Sequence, residues 1–429
     1  MASRVLVTGV GVVSSIGLGK DQFFSSLAAG KSGISRVESF DATKLGREYA
    51  GEVKQFRAED HLSQAEMRRT GRCSGMLLAA ARMALKDAGI AEKKISKDPR
   101  RVAVVLGTTM GEATIIADLD HSWIGGGPKA VRRSLLPKYG STLLPIHVAR
   151  AVGAEGMMLT LPGACSAGNY AIGFGADLIR SGRADVVISG SAEIIQELQF
   201  SGFVRLGAVA ETRCQPFDLN RQGLIVGEGA GLMVLESEEH AVRRGANAQA
   251  EVGGYGLSCD AYHITRPHPD AAGSIKATLD AIRLSGLSPN DIDFVNAHGT
   301  ATRANDNAEA RVMREVFGDR KVPISSMKSM LGHCMGAASA LEAIACIMTI
   351  ETGIYPPTIG YETPDPECDV AVVGNVAKRG KHDVVLNNSA AFGGYNAVTC
   401  FARPGFLPPP SERGQPGLDA RQVALRAAG

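Results

Sequence analysis

Three residues stand in frames of small neighbours that leave room for a reacting group. They are Cys165 in Gly163-Ala164-Cys165-Ser166-Ala167-Gly168, His298 in Asn296-Ala297-His298-Gly299-Thr300, and His333 in Lys328-Ser329-Met330-Leu331-Gly332-His333. A thiol with two imidazoles can run covalent acyl chemistry, the cysteine acting as nucleophile. Each frame follows, or lies near the end of, an apolar run that reads as a buried strand, and Cys165 opens a run that reads as a helix. A helix N-terminus favours a thiolate, so the pattern predicts a Cys165 pKa below the usual value of roughly 8.5. Neutral imidazoles donating Nε2–H can stabilise a developing enolate oxygen. The two histidines have no i, i+4 partner and no clustered third ligand, so no metal site is expected. For the other cysteines the reading is an inert buried thiol.

Lys328 and Glu342 flank His333 and can tune the proton balance around it; a surface ion pair reads equally well. After the strand Val384-Val385-Leu386, the run Asn387-Asn388-Ser389-Ala390-Ala391-Phe392-Gly393-Gly394 reads as a turn able to offer a backbone N–H to an oxyanion.

The elements that must carry these residues repeat. Ala84-Leu85-Lys86-Asp87-Ala88-Gly89-Ile90 leads to a strand ending Leu106-Gly107-Thr108-Thr109, and Ala281-Ile282-Arg283-Leu284-Ser285-Gly286-Leu287 leads to one ending His298-Gly299-Thr300-Ala301. Both read helix, Gly stop, strand, Gly-Thr turn. Cys165 precedes a helix ending near Gly182, and His333 precedes one ending at Gly353. The pattern predicts a duplicated α/β fold, its halves meeting near residue 250, with Cys165 from the first half and both histidines from the second. Helix–Gly–strand also recurs in unduplicated α/β proteins. Gly9-Val10-Gly11 lacks the third glycine of a dinucleotide-binding loop. Beyond Phe406, a Pro/Gly-rich stretch reads as a solvated extension.

Composition narrows the function classes. The chain has 429 residues, 45% of them apolar, which suffices for a large core. A net charge of +2 argues against nucleic acid as main partner. The eight cysteines form no C-x-x-C pair, which fits a reducing compartment. No signal peptide and no membrane span is read, so a cytoplasmic protein is expected.

The frames around Cys165 and His333, the runs His298-Gly299-Thr300-Ala301-Thr302 and Asn388-Ser389-Ala390-Ala391-Phe392-Gly393-Gly394, and the segments Pro216-Phe217-Asp218, Gly227-Glu228-Gly229-Ala230-Gly231 and Asp260-Ala261-Tyr262-His263 together resemble the β-ketoacyl-acyl-carrier-protein synthases. The branch is the elongating Cys-His-His type of fatty-acid synthase II and type II polyketide systems, and the resemblance spans residues 3–405. It implies a thiolase fold, two duplicated α-β-α halves forming a five-layer α-β-α-β-α core. The implied division is an N-terminal half with the nucleophile (1–250), a C-terminal half with both histidines (251–405) and a flexible tail (406–429).

The implied reaction is a decarboxylative Claisen condensation. Cys165 takes an acyl chain, malonyl-acyl carrier protein binds with Thr300 and Thr302 near its phosphopantetheine arm, and His298 and His333 hold the enolate. The N–H groups of Cys165 and Phe392 form the oxyanion hole, Phe392 gates the pocket, Lys328 and Glu342 complete the polar site, and Met110 stands at the floor of the acyl pocket. The enzyme binds no cofactor of its own. Its expected partners are acyl carrier protein and either a second copy or a related subunit, such as the non-catalytic chain-length factor of type II polyketide synthases. The sequence departs from the family at Arg303, at Ala390-Ala391, at Tyr395 and at Gln215. These departures leave the catalytic set intact and suit polyketide or unusual-lipid synthesis.

Related chemistries fit less well. A thiolase needs a second cysteine in the 387–396 segment, which has none, and chalcone-synthase-like enzymes pair Cys and His with Asn where this chain has His333. For carrier docking, Arg68, Arg69 and Arg72 are expected on one helix, with Lys129, Arg132 and Arg133 clustered downstream; a solvated helix face is the alternative. Gly125-Gly126-Gly127-Pro128 reads as a flexible loop.

Overall fold

The computed structural model describes residues 3–92, 94–380 and 382–414. Strands buried along their whole length dominate it, starting with β1 (Val5–Ser14). In the first half β2 (Val102–Gly107), β3 (Met158–Leu161), β4 (Val186–Glu193) and β5 (Gly229–Ser237) follow. In the second come β6 (Ala250–Cys259), β7 (Phe294–Asn296), β8 (Pro323–Ser325), β9 (Val384–Ala391) and β10 (Tyr395–Ala402). From the centre outward, the order is β1-β5-β4-β2-β3 on one side and β6-β10-β9-β7-β8 on the other, with the short strand Ala371–Val372 added beyond β8. Each strand of the second series stands where its counterpart five places earlier stands in the first, so the duplication is written in the topology. The series join where β1 and β6 run antiparallel, Leu6 opposite Glu251.

Helices cover both faces of each series, which is why the strands read as continuous apolar runs rather than alternating ones. On the outer face of the first series lie α1 (Arg72–Asp87) and, beyond α2 (Ala113–Gly126), α3 (Leu143–Val152). Between the series lies α4 (Ala167–Arg180). Beyond the short α5 (Glu197–Arg205), α6 (Ala272–Leu284) and α7 (Arg303–Phe317) cover the outer face of the second series. The helix α8 (Ala338–Thr352) packs against α4 in the central layer. The stack is α-β-α-β-α. Residues 335–352 are long and apolar enough to cross a membrane by length alone, but they are mostly buried inside the chain, as a central-layer helix must be.

Four sequence expectations are corrected here. The strand before Cys165, β3, is the sheet's edge and is only partly buried in this chain. Residues Asn387–Ala391 extend β9 rather than forming a loop; the turn is Phe392-Gly393-Gly394, with both glycines at positive φ. Gly125 and Gly126 close α2, and only Gly127 and Pro128 lie beyond it. The start of the supposed tail packs on the body: Leu407 is buried and Arg413 pairs with Glu251, whereas residues 415–429 lie outside the described residues. Gly9 and Gly11 have a packing role. A Cβ there would come within 2.4 Å of the Ala84 carbonyl oxygen and 1.9 Å of that of Ala80, so these glycines let α1 lie close on β1.

Candidate active site

Cys165 and His333 enter the centre through equivalent turns. Cys165 lies on a short 3-10 turn (Ala164–Ser166) that runs into α4, and the turn after His333 (Met335–Ala337) runs into α8. Both turns contain a non-glycine residue at positive φ, Ala164 at 48° and Met335 at 47°. Such strain costs about 1–3 kcal/mol per residue and persists where surrounding structure enforces it. The two turns pack against each other and the first packs against β9, where the Ser389 hydroxyl donates to the Cys165 carbonyl at 3.2 Å.

The rings of His298 and His333 meet edge to face, centroids 5.4 Å apart and planes at 84°. His298 follows β7 directly, and the Glu309 carboxylate fixes its backbone by accepting from His298 N–H at 2.7 Å and Gly299 N–H at 2.8 Å. A short helical turn (Lys328–Leu331) stands between β8 and His333. The His333 main chain is then clamped by Ile225 and Gly227, its N–H donating to the first at 2.5 Å and its carbonyl accepting from the second at 2.8 Å.

Lys328 is buried rather than on the surface. Its Nζ donates to Glu342 Oε1 at 2.5 Å, and both side chains are 1% exposed. Burial first, and then the Lys328 ammonium, hold the pKa of both imidazoles well below the ordinary 6.5, so they are neutral near pH 7. Glu342 is pushed up to about 7 by burial, against the pull of Lys328. The same ammonium acts on Cys165, but burial dominates and pushes that thiol up to about 12. This reverses the sequence expectation of a lowered pKa. Cys165 shares an apolar cluster with Ile195, Phe200, Val226 and Met335, and desolvating a thiolate there outweighs the nearby charge.

Thr300 and Thr302 pair hydroxyl to hydroxyl at 2.9 Å, with Ala301 at positive φ between them. Phe392 packs on Phe203 with centroids 5.6 Å apart. Its turn is tied to the loop after β6: the Gly393 N–H donates to the Ile264 carbonyl at 2.7 Å. Met110 lies in the loop after β2, where its sulfur accepts from Gln196.

The docking residues do not share one helix. A short helix ends at Met67, Arg68 and Arg69 are exposed beyond it, and Arg72 opens α1. Arg72 is held by Glu228 at 2.6 Å and by the Val53 carbonyl at 2.8 Å, while 37% of its side chain stays exposed. Lys129, Arg132 and Arg133 are exposed, with Arg132 near Asp118 at 3.3 Å.

Sequence reasoning missed two buried carboxylates. Glu309 had a signal: with Asp306 it stands three residues apart on the face of α7 that also carries Met313 and Phe317, so both had to be buried. Glu193 ends the fully buried β4, and its donors, three backbone N–H groups and the Thr108 hydroxyl, lie 82–85 residues away in sequence.

Comparison with known proteins identifies the lineage. The β-ketoacyl synthase N-terminal domain model matches residues 2–241 and the C-terminal domain model residues 249–362. The chain belongs to the β-ketoacyl synthase family. This ketosynthase, an acyltransferase of thiolase fold, is 36% identical over 414 residues to the chloroplastic 3-oxoacyl-[acyl-carrier-protein] synthase I of Hordeum vulgare, covering 93% of this chain and 89% of the relative. It is 36% identical over 420 residues to the ketoacyl synthase alpha subunit of the tetracenomycin polyketide synthase of Streptomyces glaucescens, covering 94% and 97%. Among solved structures it resembles the ishigamide ketosynthase/chain length factor, at 41% identity and a TM-score of 0.90, covering 94% of this chain and all of that one.

Proposed function

We propose that this ketosynthase condenses an acyl chain held on Cys165 with malonyl-acyl carrier protein, releasing CO2, in fatty-acid synthesis or, in better accord with its departures from the family, in polyketide or specialised-lipid synthesis. The observation that carries the reading is the neutral, edge-to-face pair His298 and His333 beside Lys328, whose charge also reaches the Cys165 thiol. Two neutral imidazoles can both donate Nε2–H to one oxygen.

In the first half-reaction the Cys165 sulfur attacks the acyl thioester, and the carrier's thiol leaves with a proton. The buried thiol is neutral, so its proton passes to a neutral imidazole as the C–S bond forms. The backbone N–H groups of Cys165 and Phe392 take the oxyanion. In the second, the malonyl thioester enters past Thr300 and Thr302 and loses CO2. The enolate oxygen rests on His298 and His333, and the enolate carbon displaces the Cys165 sulfur from the acyl group. Burial and the Lys328 ammonium keep the imidazoles neutral, and Glu342 holds Lys328 in place. Phe392 gates the cavity, Met110 limits its depth, and Arg68, Arg69, Lys129, Arg132 and Arg133 receive the acidic carrier. The protein brings no cofactor to these steps; the phosphopantetheine arm belongs to the carrier.

The specialised pathway is supported by the resemblance to polyketide relatives and by the departures at Gln215, Arg303 and Tyr395. Eight free thiols fit a reducing cytoplasm. A partner subunit is supported by an exposed apolar face: Trp123 is 57% and Ile124 81% exposed on α2, with Ile116 on the same helix and Met158 on the edge strand β3. A second copy fits this face, and so does a chain-length-factor subunit like that named in the ishigamide structure.

Reconstitution with acyl- and malonyl-carrier proteins tests the reading. A β-ketoacyl-carrier product and CO2 in equal amounts are expected; acyl transfer without carbon–carbon bond formation would overturn it. A chain that elutes as a soluble dimer when expressed alone supports self-sufficiency, and an insoluble one supports the heterodimer.

A further inference from the structure

The buried carboxylate of Glu193 takes all its hydrogen bonds from the loop that presents Met110. Oε2 accepts from Thr109 N–H at 2.6 Å and from the Thr108 hydroxyl at 3.3 Å, while Oε1 accepts from Met110 N–H and Gly111 N–H, each at 3.1 Å. The loop is hemmed in on another side by the turn after His333. A Cβ on Gly336 would lie 2.6 Å from Thr109 N and 2.8 Å from Glu193 Oε2. Three residues on, Gln196 holds the Met110 side chain itself. Its Nε2 donates to the thioether sulfur at 3.4 Å while its Oε1 caps α5 by accepting from Leu198 N–H at 3.1 Å. From there α5 brings Phe200 into the apolar cluster of Cys165.

A methionine is the most adaptable of apolar side chains, so alone it is a poor depth stop. Here its backbone is fixed by a carboxylate with four donors and its sulfur by an amide that is itself fixed. We propose that Glu193 and Gln196 are the positioning residues of acyl-chain selection: together they hold Met110 in one place and so set the length of chain that Cys165 accepts. Neither residue touches the reacting atoms. The inference rests on the reading of Met110 as the pocket floor.

Both oxygens of Glu193 face donors only, so Glu193→Gln sets an amide N–H against backbone N–H groups and releases the loop. Gln196→Leu keeps the side chain's bulk, frees the sulfur, and serves as the milder variant should Glu193→Gln fail to fold. Acylation rates on a series of acyl-carrier proteins, read by intact mass, are compared for both variants, for Met110→Ala and for the unaltered protein, with malonyl-carrier decarboxylation as the second readout. Expected is a rise of about tenfold in long-chain relative to short-chain acylation for Gln196→Leu and Glu193→Gln, in the direction of Met110→Ala, with decarboxylation kept. A shifted Met110→Ala profile beside an unchanged Gln196→Leu profile overturns the inference alone. A uniform loss across all chain lengths and in decarboxylation overturns it too, by showing a purely structural role. An unchanged Met110→Ala profile removes the pocket reading and the inference with it.

Discussion

The Lys328 ammonium and the Glu342 carboxylate meet at 2.5 Å with almost no solvent on either, one from the turn before His333 and the other from the helix after it. A buried pair of this kind is costly to break because the surviving charge has no water. Glu342→Ala is therefore expected to destabilise the protein by about 3–5 kcal/mol, read by denaturant unfolding. A loss within the range of exposed pairs, about 1 kcal/mol or less, would contradict the burial.

Burial and the Lys328 charge set the pH response. Both imidazoles lie below the ordinary 6.5, and their neutral form is the working one. Decarboxylation should thus be flat through pH 6.5 and fall only as the pH drops through the lowered imidazole values. Lys328→Met removes a charge that depresses both, so the acid limb should move to higher pH. A limb that stays in place after the substitution would count against the electrostatic role of Lys328.

His298 and His333 should divide the labour with Cys165. Replacing either by Ala is expected to slow malonyl decarboxylation by about 100-fold or more, the scale of losing one oxyanion donor. Acyl transfer to Cys165 should suffer less, as stopped acylation assays would show. Equal losses in both half-reactions would assign the imidazoles a shared role instead.

Arg68 and Arg72, read from sequence as one docking helix, should now behave differently. Arg68→Glu, like Arg132→Glu, is expected to raise KM for carrier-bound substrate and weaken its salt dependence, with the melting temperature unchanged. Arg72→Glu strands the buried Glu228 carboxylate and should lower the melting temperature. KM values for Arg68→Glu unchanged at low salt would remove the docking surface.

Local patterns made the α/β class, the repeat and the three reactive frames legible, because small residues beside Cys165, His298 and His333 mark where side chains meet open space. What the sequence hid depended on tertiary partners. Whether Lys328 and Glu342 were surface or core could not be decided from a spacing of fourteen residues. The Cys165 thiol was expected low because helix position is visible in sequence, whereas its apolar surroundings come from residues such as Ile195 and Met335 on other elements. Residues 387–391 looked like a loop because asparagines are rare in strands. Here Asn387 finds buried partners, its amide donating to Asn169 Oδ1 at 2.9 Å and to the Ser339 carbonyl at 2.8 Å.

The most direct test of the account is where the acyl group goes. After incubation with an acyl-carrier protein, the intact protein should gain the mass of one acyl group, and peptide mapping should place it on Cys165. Cys165→Ala should gain none and form no condensation product. An adduct that persists in Cys165→Ala on another of the eight cysteines, or condensation without any adduct, would contradict the account.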